Sequence, residues 1–588
     1  MTCYYQNLFW VVLTLRVSVS ALPSPSKATR ADESPSLPVA IIVSNNPQTE
    51  TVFVGRSLPE FDQELFLGIK YADKPVRFTP SSLKTTYTAD DSDSGVYTAS
   101  IDDLNISQEA VLYNATDYGY ECPGYGSDET KLVDMGLIQL NEDCHNLNII
   151  RPKLQSNETQ LLPVMLWIFG GGWQQGATGD PRYNMSYIVR QGALNDKPVL
   201  GVSINYRLAA FGLLDSEEVR ASGNNNLALR DQRVAMRWVK QNIRAFGGDP
   251  DKVTIWGESA GAYSVGAHLV ANDGDNEGLF RAGELHARFC SGNANGPPWN
   301  GTDWYQPMYD RIVNKTGCSS SSDTLQCLRD VSYETLYDAA YEGLEWFAAV
   351  DGTFVKEYPQ ISITQGKMAK VPILLGTNTD EGTSFGTTGT NTDEECVEQL
   401  ISSKRWVLNR DQATKLLTFY PNDPVLGCPY GWGNTTWPDL GLMYKRYESM
   451  AGDLTMVAPR RLLAQNMAKY KSEVYSYRWD VPSLNTSGTI GVGHFAEIPF
   501  VFANPVQNIT ALGDDPARLE LGNLAARMWT SFVADLDPNG HNVANIPQWP
   551  QYSQEASNLV FRLPKDGSYI EVDTYRADGI DYINSIPR

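Results

Sequence analysis

Apolar runs at residues 164–169, 199–204, 253–256, 371–375 and 474–479 are each short and rich in β-branched or aromatic side chains. Bounded by glycine, proline and polar turns, they predict buried strands. Between them lie stretches of long, helix-forming side chains. The clearest, residues 226–246, stops at Gly247-Gly248-Asp249-Pro250, a glycine that ends a helix followed by a turn. Strand–helix alternation with continuous apolar strands predicts an α/β fold around a largely parallel sheet buried on both faces. The pattern shows no repeat or internal linker from about residue 40 onward.

One junction in this pattern carries chemistry. The run 253–256 leads into Gly257-Glu258-Ser259-Ala260-Gly261, and residues 262–270 then read as a helix. A serine on so tight a strand-to-helix turn needs glycine on both sides, because a Cβ there would clash. The turn exposes the hydroxyl and leaves the Ala260 amide free at a helix N-terminus. The same five-residue pattern recurs at Gly382-Thr383-Ser384-Phe385-Gly386, but no helix follows it, so Ser384 reads as a loop residue.

A serine nucleophile needs a base and an acid that orients the base. Of five histidines, only His494 and His541 come late enough in the chain. His541 follows the polar turn Asp537-Pro538-Asn539-Gly540 and is expected to be solvated. His494 sits in a glycine-flanked loop after the run 474–479, the better place for a base. His145, His268 and His286 read as packing or surface residues. The acid should follow a strand end, where Asp380 and Glu381 stand side by side, and local logic does not separate them. Gly170, Gly171 and Gly172 close the run 164–169 and can turn backbone amides toward one point as an oxyanion hole. Removing one such donor costs about 2.7–4 kcal/mol of transition-state stabilisation.

Composition narrows the setting. The chain has 588 residues, 42% hydrophobic content and a net charge of −22, which argues against nucleic-acid binding. Residues 1–21 resemble a signal peptide, with a short apolar run and small residues before a cleavage point near Ala21. Residues 22–40 read as a Pro/Ser-rich disordered leader, and 41–588 as one domain. No run is long enough for a stable membrane anchor. Nine glycosylation sequons, at Asn105, Asn114, Asn157, Asn184, Asn300, Asn314, Asn434, Asn485 and Asn508, agree with secretion. So do the cysteines, whose proximity pairs Cys122 with Cys144, Cys318 with Cys327, and Cys396 with Cys428. Cys290 reads as a buried thiol. No spacing matches a metal site.

Together, Phe66-Leu67-Gly68-Ile69, Glu142-Asp143-Cys144, Asn205-Tyr206-Arg207, Asp231-Gln232-Arg233, Phe246-Gly247-Gly248-Asp249-Pro250 and the Ser259 block resemble the type-B carboxylesterase/lipase family. The resemblance is to a fungal, secreted type of this cholinesterase-like family. It implies the α/β-hydrolase fold, with Ser259 as nucleophile, Glu381 rather than Asp380 as acid and His494 as base. It also implies Gly171, Gly172 and Ala260 as oxyanion donors, Glu258 as a supporting charge, and no cofactor. The Cys122–Cys144 and Cys318–Cys327 pairings fit the family's disulfides. Several residues depart from the family pattern: Lys70 stands for proline, His145-Asn146 for Leu-Tyr, and Trp173 for a common phenylalanine that it would replace with a narrower pocket. The loop of 21 residues between Cys122 and Cys144 has no tryptophan, which disfavours a cholinesterase, while residues 132–140 read as the stub of a lipase lid.

The expected function is therefore a secreted serine esterase that cleaves small-molecule or lipid esters through an acyl-enzyme. A lipase or sterol esterase on long-chain lipid esters is the first alternative. A non-catalytic binding protein on the same fold is the second.

Overall fold

The computed structural model describes residues 37–588 except 46–47, 96–109, 155–159, 287–301, 342–345, 404–405, 407, 471, 507–508, 511, 554 and 587–588. The expected signal peptide, most of the leader, Cys3, Cys290, Asn105, Asn157, Asn300 and Asn508 lie outside these residues. Fourteen strands are present among those described. β1 (Val39–Asn45), β2 (Gln48–Val54) and β5 (Val111–Asn114) form a small sheet. The other eleven form the main sheet: β3 (Arg56–Leu58), β4 (Gln63–Lys70), β6 (Asn146–Pro152), β7 (Leu162–Ile168), β8 (Leu200–Ile204), β9 (Gly248–Glu258), β10 (Ala282–His286), β11 (Ile373–Asn378), β12 (Val474–Trp479), β13 (Ser557–Phe561) and β14 (Tyr569–Val572).

Their order is β14-β13-β12-β11-β10-β9-β7-β8-β6-β4-β3. From β8 to β13 every pairing is parallel, and both margins are antiparallel. Parallel strands need helical crossovers that cover both faces, which is why β8 and β11 are buried along their whole length. All five strands expected from the sequence are present. The run 371–375 starts later, at Ile373, and continues to Asn378, which brings the sheet edge to the doorstep of Asp380 and Glu381. The helix expected at 226–246 is Leu227–Asn242 followed by a 3-10 turn, Ile243–Phe246, and ends on Gly247 in the left-handed region at φ 86°.

The helix Ala260–Val270 packs on β9 and β10, and the helix Pro516–Asp535 on β7 and β9. Aromatic rings fill the layer beneath the ends of these strands. Trp167 and Trp256 lie 4.4 Å apart, Trp256 stacks on Phe502 at 5.0 Å, and Trp529 stacks on His286 at 5.2 Å. Pairs of this kind add about 0.5–1.5 kcal/mol each beyond area burial, so the platform under the strand ends is stiff.

Two of the unusual residues are explained by what they touch. Lys70 is buried, with Nζ 2.9 Å from Asp93 and donating to the Asp143 carbonyl at 2.6 Å. His145 lies 3.0 Å from Asp231, which also takes two 2.7 Å bonds from Arg207. The buried Lys70 ammonium and Arg207 guanidinium each have a carboxylate in place. Cys122–Cys144 and Cys318–Cys327 are bonded. The expected Cys396–Cys428 bridge is not formed, and both are buried free thiols. Cys396 packs in an apolar cluster with Val397, Leu400 and Trp406, whereas Cys428 lies 3.6 Å from the Asp380 carboxylate.

Candidate active site

Strand β9 ends at Glu258, and Ser259 turns the chain into the helix Ala260–Val270 with φ 53° and ψ −121°. Few non-glycine residues hold this conformation, and such strain persists only where neighbours enforce it. The neighbours here are close. A Cβ on Gly261 would sit 1.9 Å from the Ile168 carbonyl, and one on Gly257 would sit 2.6 Å from the Gly261 backbone. The Ser259 amide donates to the His286 carbonyl at 3.1 Å, which ties the turn to the end of β10.

The glycine run after β7 approaches from the side. A Cβ on Gly170 would lie 2.9 Å from that of Ser259, so the two turns come together only because Gly170 has none. Gly171 and Gly172 have φ of 87° and 67°. Among the described residues, no protein acceptor is hydrogen-bonded to the amides of Gly171, Gly172 or Ala260. Trp173 does not narrow the pocket as its size implied. Its indole donates to Ser264 Oγ at 3.0 Å and packs against Tyr263, turned into the core.

Glu381 opens a 3-10 turn just past β11, with one oxygen accepting from the Asn378 amide at 2.8 Å. Its other oxygen lies 2.8 Å from His494 Nδ1. The neighbouring Asp380 is occupied elsewhere: it accepts from the amides of Tyr430 at 2.7 Å and Val492 at 2.8 Å, stapling two loops. Geometry thus separates two carboxylates that local sequence did not. Ser384 has a role in the same corner, since its hydroxyl accepts from the His494 amide at 3.3 Å. His541 is buried rather than solvated, and its Nδ1 accepts from the Val543 amide at 3.1 Å.

His494 Nε2 faces Glu258, 3.0 Å from Oε1, without the alignment of a hydrogen bond. Burial pulls the imidazole down, but the Glu258 and Glu381 carboxylates outweigh it and raise it to about 9. Burial also raises Glu258. Glu497, three residues after His494, was not anticipated. It is fully buried, and its carboxylate accepts from Asn378 Nδ2 at 2.6 Å. No periodicity marks it, because its partners come from β10 and β11. Ser259, Glu258, His494 and Gly170 to Gly172 line one cavity of about 480 Å³, together with Glu129, Leu132, Phe347, Phe385 and Met456.

The family model for the carboxylesterase family matches residues 53–576. The chain belongs to the carboxylesterase family. Secreted lipase 1 of Botryotinia fuckeliana is 34% identical over 465 residues, covering 76% of this chain and 77% of the relative. Lipase 4 of Diutina rugosa is 30% identical over 616 residues, with 98% of each chain covered. Among solved structures, EstA of Aspergillus niger superposes with a TM-score of 0.76 at 27% identity, over 93% of this chain and 98% of its own. This carboxylesterase-family chain has the α/β-hydrolase fold and is a carboxylic ester hydrolase.

Proposed function

We propose that this carboxylesterase-family member cleaves esters through an acyl-enzyme on Ser259. Ser259 Oγ attacks the ester carbonyl, and His494 takes its proton and passes it to the leaving alcohol. Glu381 holds the imidazole in the tautomer that presents Nε2 as acceptor. The amides of Gly171, Gly172 and Ala260 receive the oxyanion. Water then repeats the sequence and releases the acid. The observation that carries this reading is the 2.8 Å contact of His494 Nδ1 with Glu381, on the same cavity as a strained Ser259. Here Nε2 lies 3.0 Å from Glu258 Oε1, and the bond between a base and its nucleophile commonly tightens only in the substrate complex. Ser259→Ala tests it in a p-nitrophenyl ester assay: turnover should vanish, and retained turnover overturns the assignment. An organophosphonate probe should label Ser259 and not Ser384.

The extracellular location belongs to the same proposal. Two disulfides agree with an oxidising compartment. Asn314, Asn434 and Asn485 are exposed sequons able to accept glycans.

Action on long-chain lipid esters is favoured by one feature. Leu132 lines the cavity, and beside it Val133, Met135 and Leu137 are 40–56% exposed. The expected lid stub, residues 132–140, overlaps the helix Ser127–Asp134 only at 132–134 and is non-helical beyond it. A profile of rate against acyl length decides: a jump in rate at a lipid–water interface supports the lipase, and loss of activity beyond short chains supports the esterase.

A further inference from the structure

A second cavity, of about 290 Å³, shares no lining residue with the one that holds Ser259. Three guanidinium groups line it, those of Arg230, Arg233 and Arg237, and no carboxylate does. These arginines are spaced i, i+3 and i+7 along the helix Leu227–Asn242, which puts them on one face. Such a basic hollow stands out in a chain of net charge −22.

The three groups are unequally paired. Arg237 has both oxygens of Glu277, at 2.9–3.1 Å. Arg230 donates to the Asn225 carbonyl at 2.9 Å, to Thr353 Oγ1 at 3.2 Å and to Asp351 at 3.3 Å. Arg233 is the poorly served one. Its side chain is 1% exposed, yet its contacts with Glu277 and with the carbonyls of His268 and Asp275 are all 3.4 Å long, and Nε has no partner. Good hydrogen bonds of this type span about 2.7–3.2 Å. Burial lowers Arg233 to about 10. A buried cation is costly unless it is paired, and one carboxylate shared between two arginines pairs only the outer one well. Arg230 and Arg233 also lie over the Phe354 ring, at 5.5 and 5.7 Å, which fixes their planes at the cavity wall.

We propose that this cavity binds a small soluble oxoanion, phosphate- or carboxylate-bearing, that completes the pairing of Arg233. The guanidinium fork matches two oxygens of such an anion. Asn272 also lines the cavity, and its side-chain amide can donate to the anion. The bound anion stabilises the fold by mass action, because only the folded chain assembles the three arginines.

Inorganic phosphate is the probe. Titrated calorimetrically into the full chain at constant ionic strength, it should bind saturably at one site, and the melting temperature should climb with phosphate but not with chloride. The double variant Arg230→Gln/Arg237→Gln leaves the buried Arg233 in place and lies outside the proposed acyl-transfer machinery. It should keep ester turnover while weakening phosphate binding by at least about tenfold. Absence of saturable binding to the wild type overturns the proposal, as does undiminished binding to the double variant. So does a wild type that sediments with phosphatidylglycerol vesicles yet ignores free phosphate.

Discussion

Glu258→Gln isolates the electrostatic partner of His494 with little change of shape. The two facing atoms are 3.0 Å apart. Opposite unit charges at that distance, in a medium of effective dielectric about 20, attract by about 5 kcal/mol, an upper bound of about 4 pH units on the imidazole. The realised effect is smaller, because burial raises the Glu258 carboxyl and so weakens its negative charge. We expect a shift of about 1–3 units, the usual range for one close opposite charge. The sign follows from the proposed role of His494 as base. The imidazole accepts a proton only when neutral, and Glu258 and Glu381 favour its cation, raising it from the ordinary value toward about 9. Wild-type kcat/KM should therefore fall as pH drops through a pKa above the usual histidine value of about 6.5. Glutamine removes one carboxylate, so the acid limb should move to lower pH. The assay is initial rates on a soluble p-nitrophenyl ester across pH, where kcat/KM reports the free enzyme. An acid limb that stays put, or moves upward, refutes the reasoning.

Three further expectations rest on other contacts. If Glu381 is the orienting acid proposed above, Glu381→Gln should cut kcat by about 10⁴-fold, whereas Asp380→Asn should cost stability with a far smaller change in kcat; parallel kinetics and melting curves separate the two. Gly261→Ala should abolish soluble, active protein, because its Cβ would lie 1.9 Å from a backbone carbonyl; a well-folded, active variant would contradict the close packing of the turn. Glu284 is fully buried with neither oxygen bonded, and burial raises its carboxyl well above the ordinary value. A carboxyl raised in the folded state costs nothing extra below its unfolded pKa and progressively more as pH rises above it. Glu284→Leu should then stabilise the chain by about 1–3 kcal/mol at pH 7, with the gain shrinking toward pH 4 in urea titrations.

Features that depend on neighbours in sequence were legible from the chain, and those that depend on distant segments were not. The strand-to-helix turn at Ser259 is a local conformation, and its two glycines announce it because only they fit against Ile168 and each other. The sheet strands announce themselves for the same reason: burial on both faces demands unbroken apolar runs. Helix Leu227–Asn242 shows its length through composition and its end through Gly247. The choice between Asp380 and Glu381 has no such local signature. The two differ in partners from distant segments: the amides of Tyr430 and Val492, 50 and 112 residues away, bond Asp380, while His494 lies on Glu381. Residue spacing likewise misleads for Cys396 and Cys428, since an apolar cluster holds one thiol and the Asp380 corner the other.

The resemblance of residues 382–386 to a nucleophile motif can be understood in the same terms. A Cβ on Gly382 would lie 1.8 Å from the Glu448 carbonyl, and one on Gly386 would lie 1.9 Å from the Glu448 carboxylate. Gly382 is therefore required by close packing against the backbone of the helix Tyr444–Gly452, whereas Gly386 meets the movable end of the Glu448 side chain. Ser384 in turn accepts from the His494 amide. The second motif thus braces the loop that carries the proposed base, while the first presents the proposed nucleophile. Glycine spacing reports close approach of backbone in both places, and only the helix that follows Ser259 sets that residue on the cavity wall beside amides with no protein acceptor among the described residues. Ser384→Ala should therefore leave Ser259 reactive toward a phosphonate while loosening the His494 loop. A modest fall in kcat with unchanged labelling stoichiometry is the expected result, and loss of labelling would overturn the division of roles.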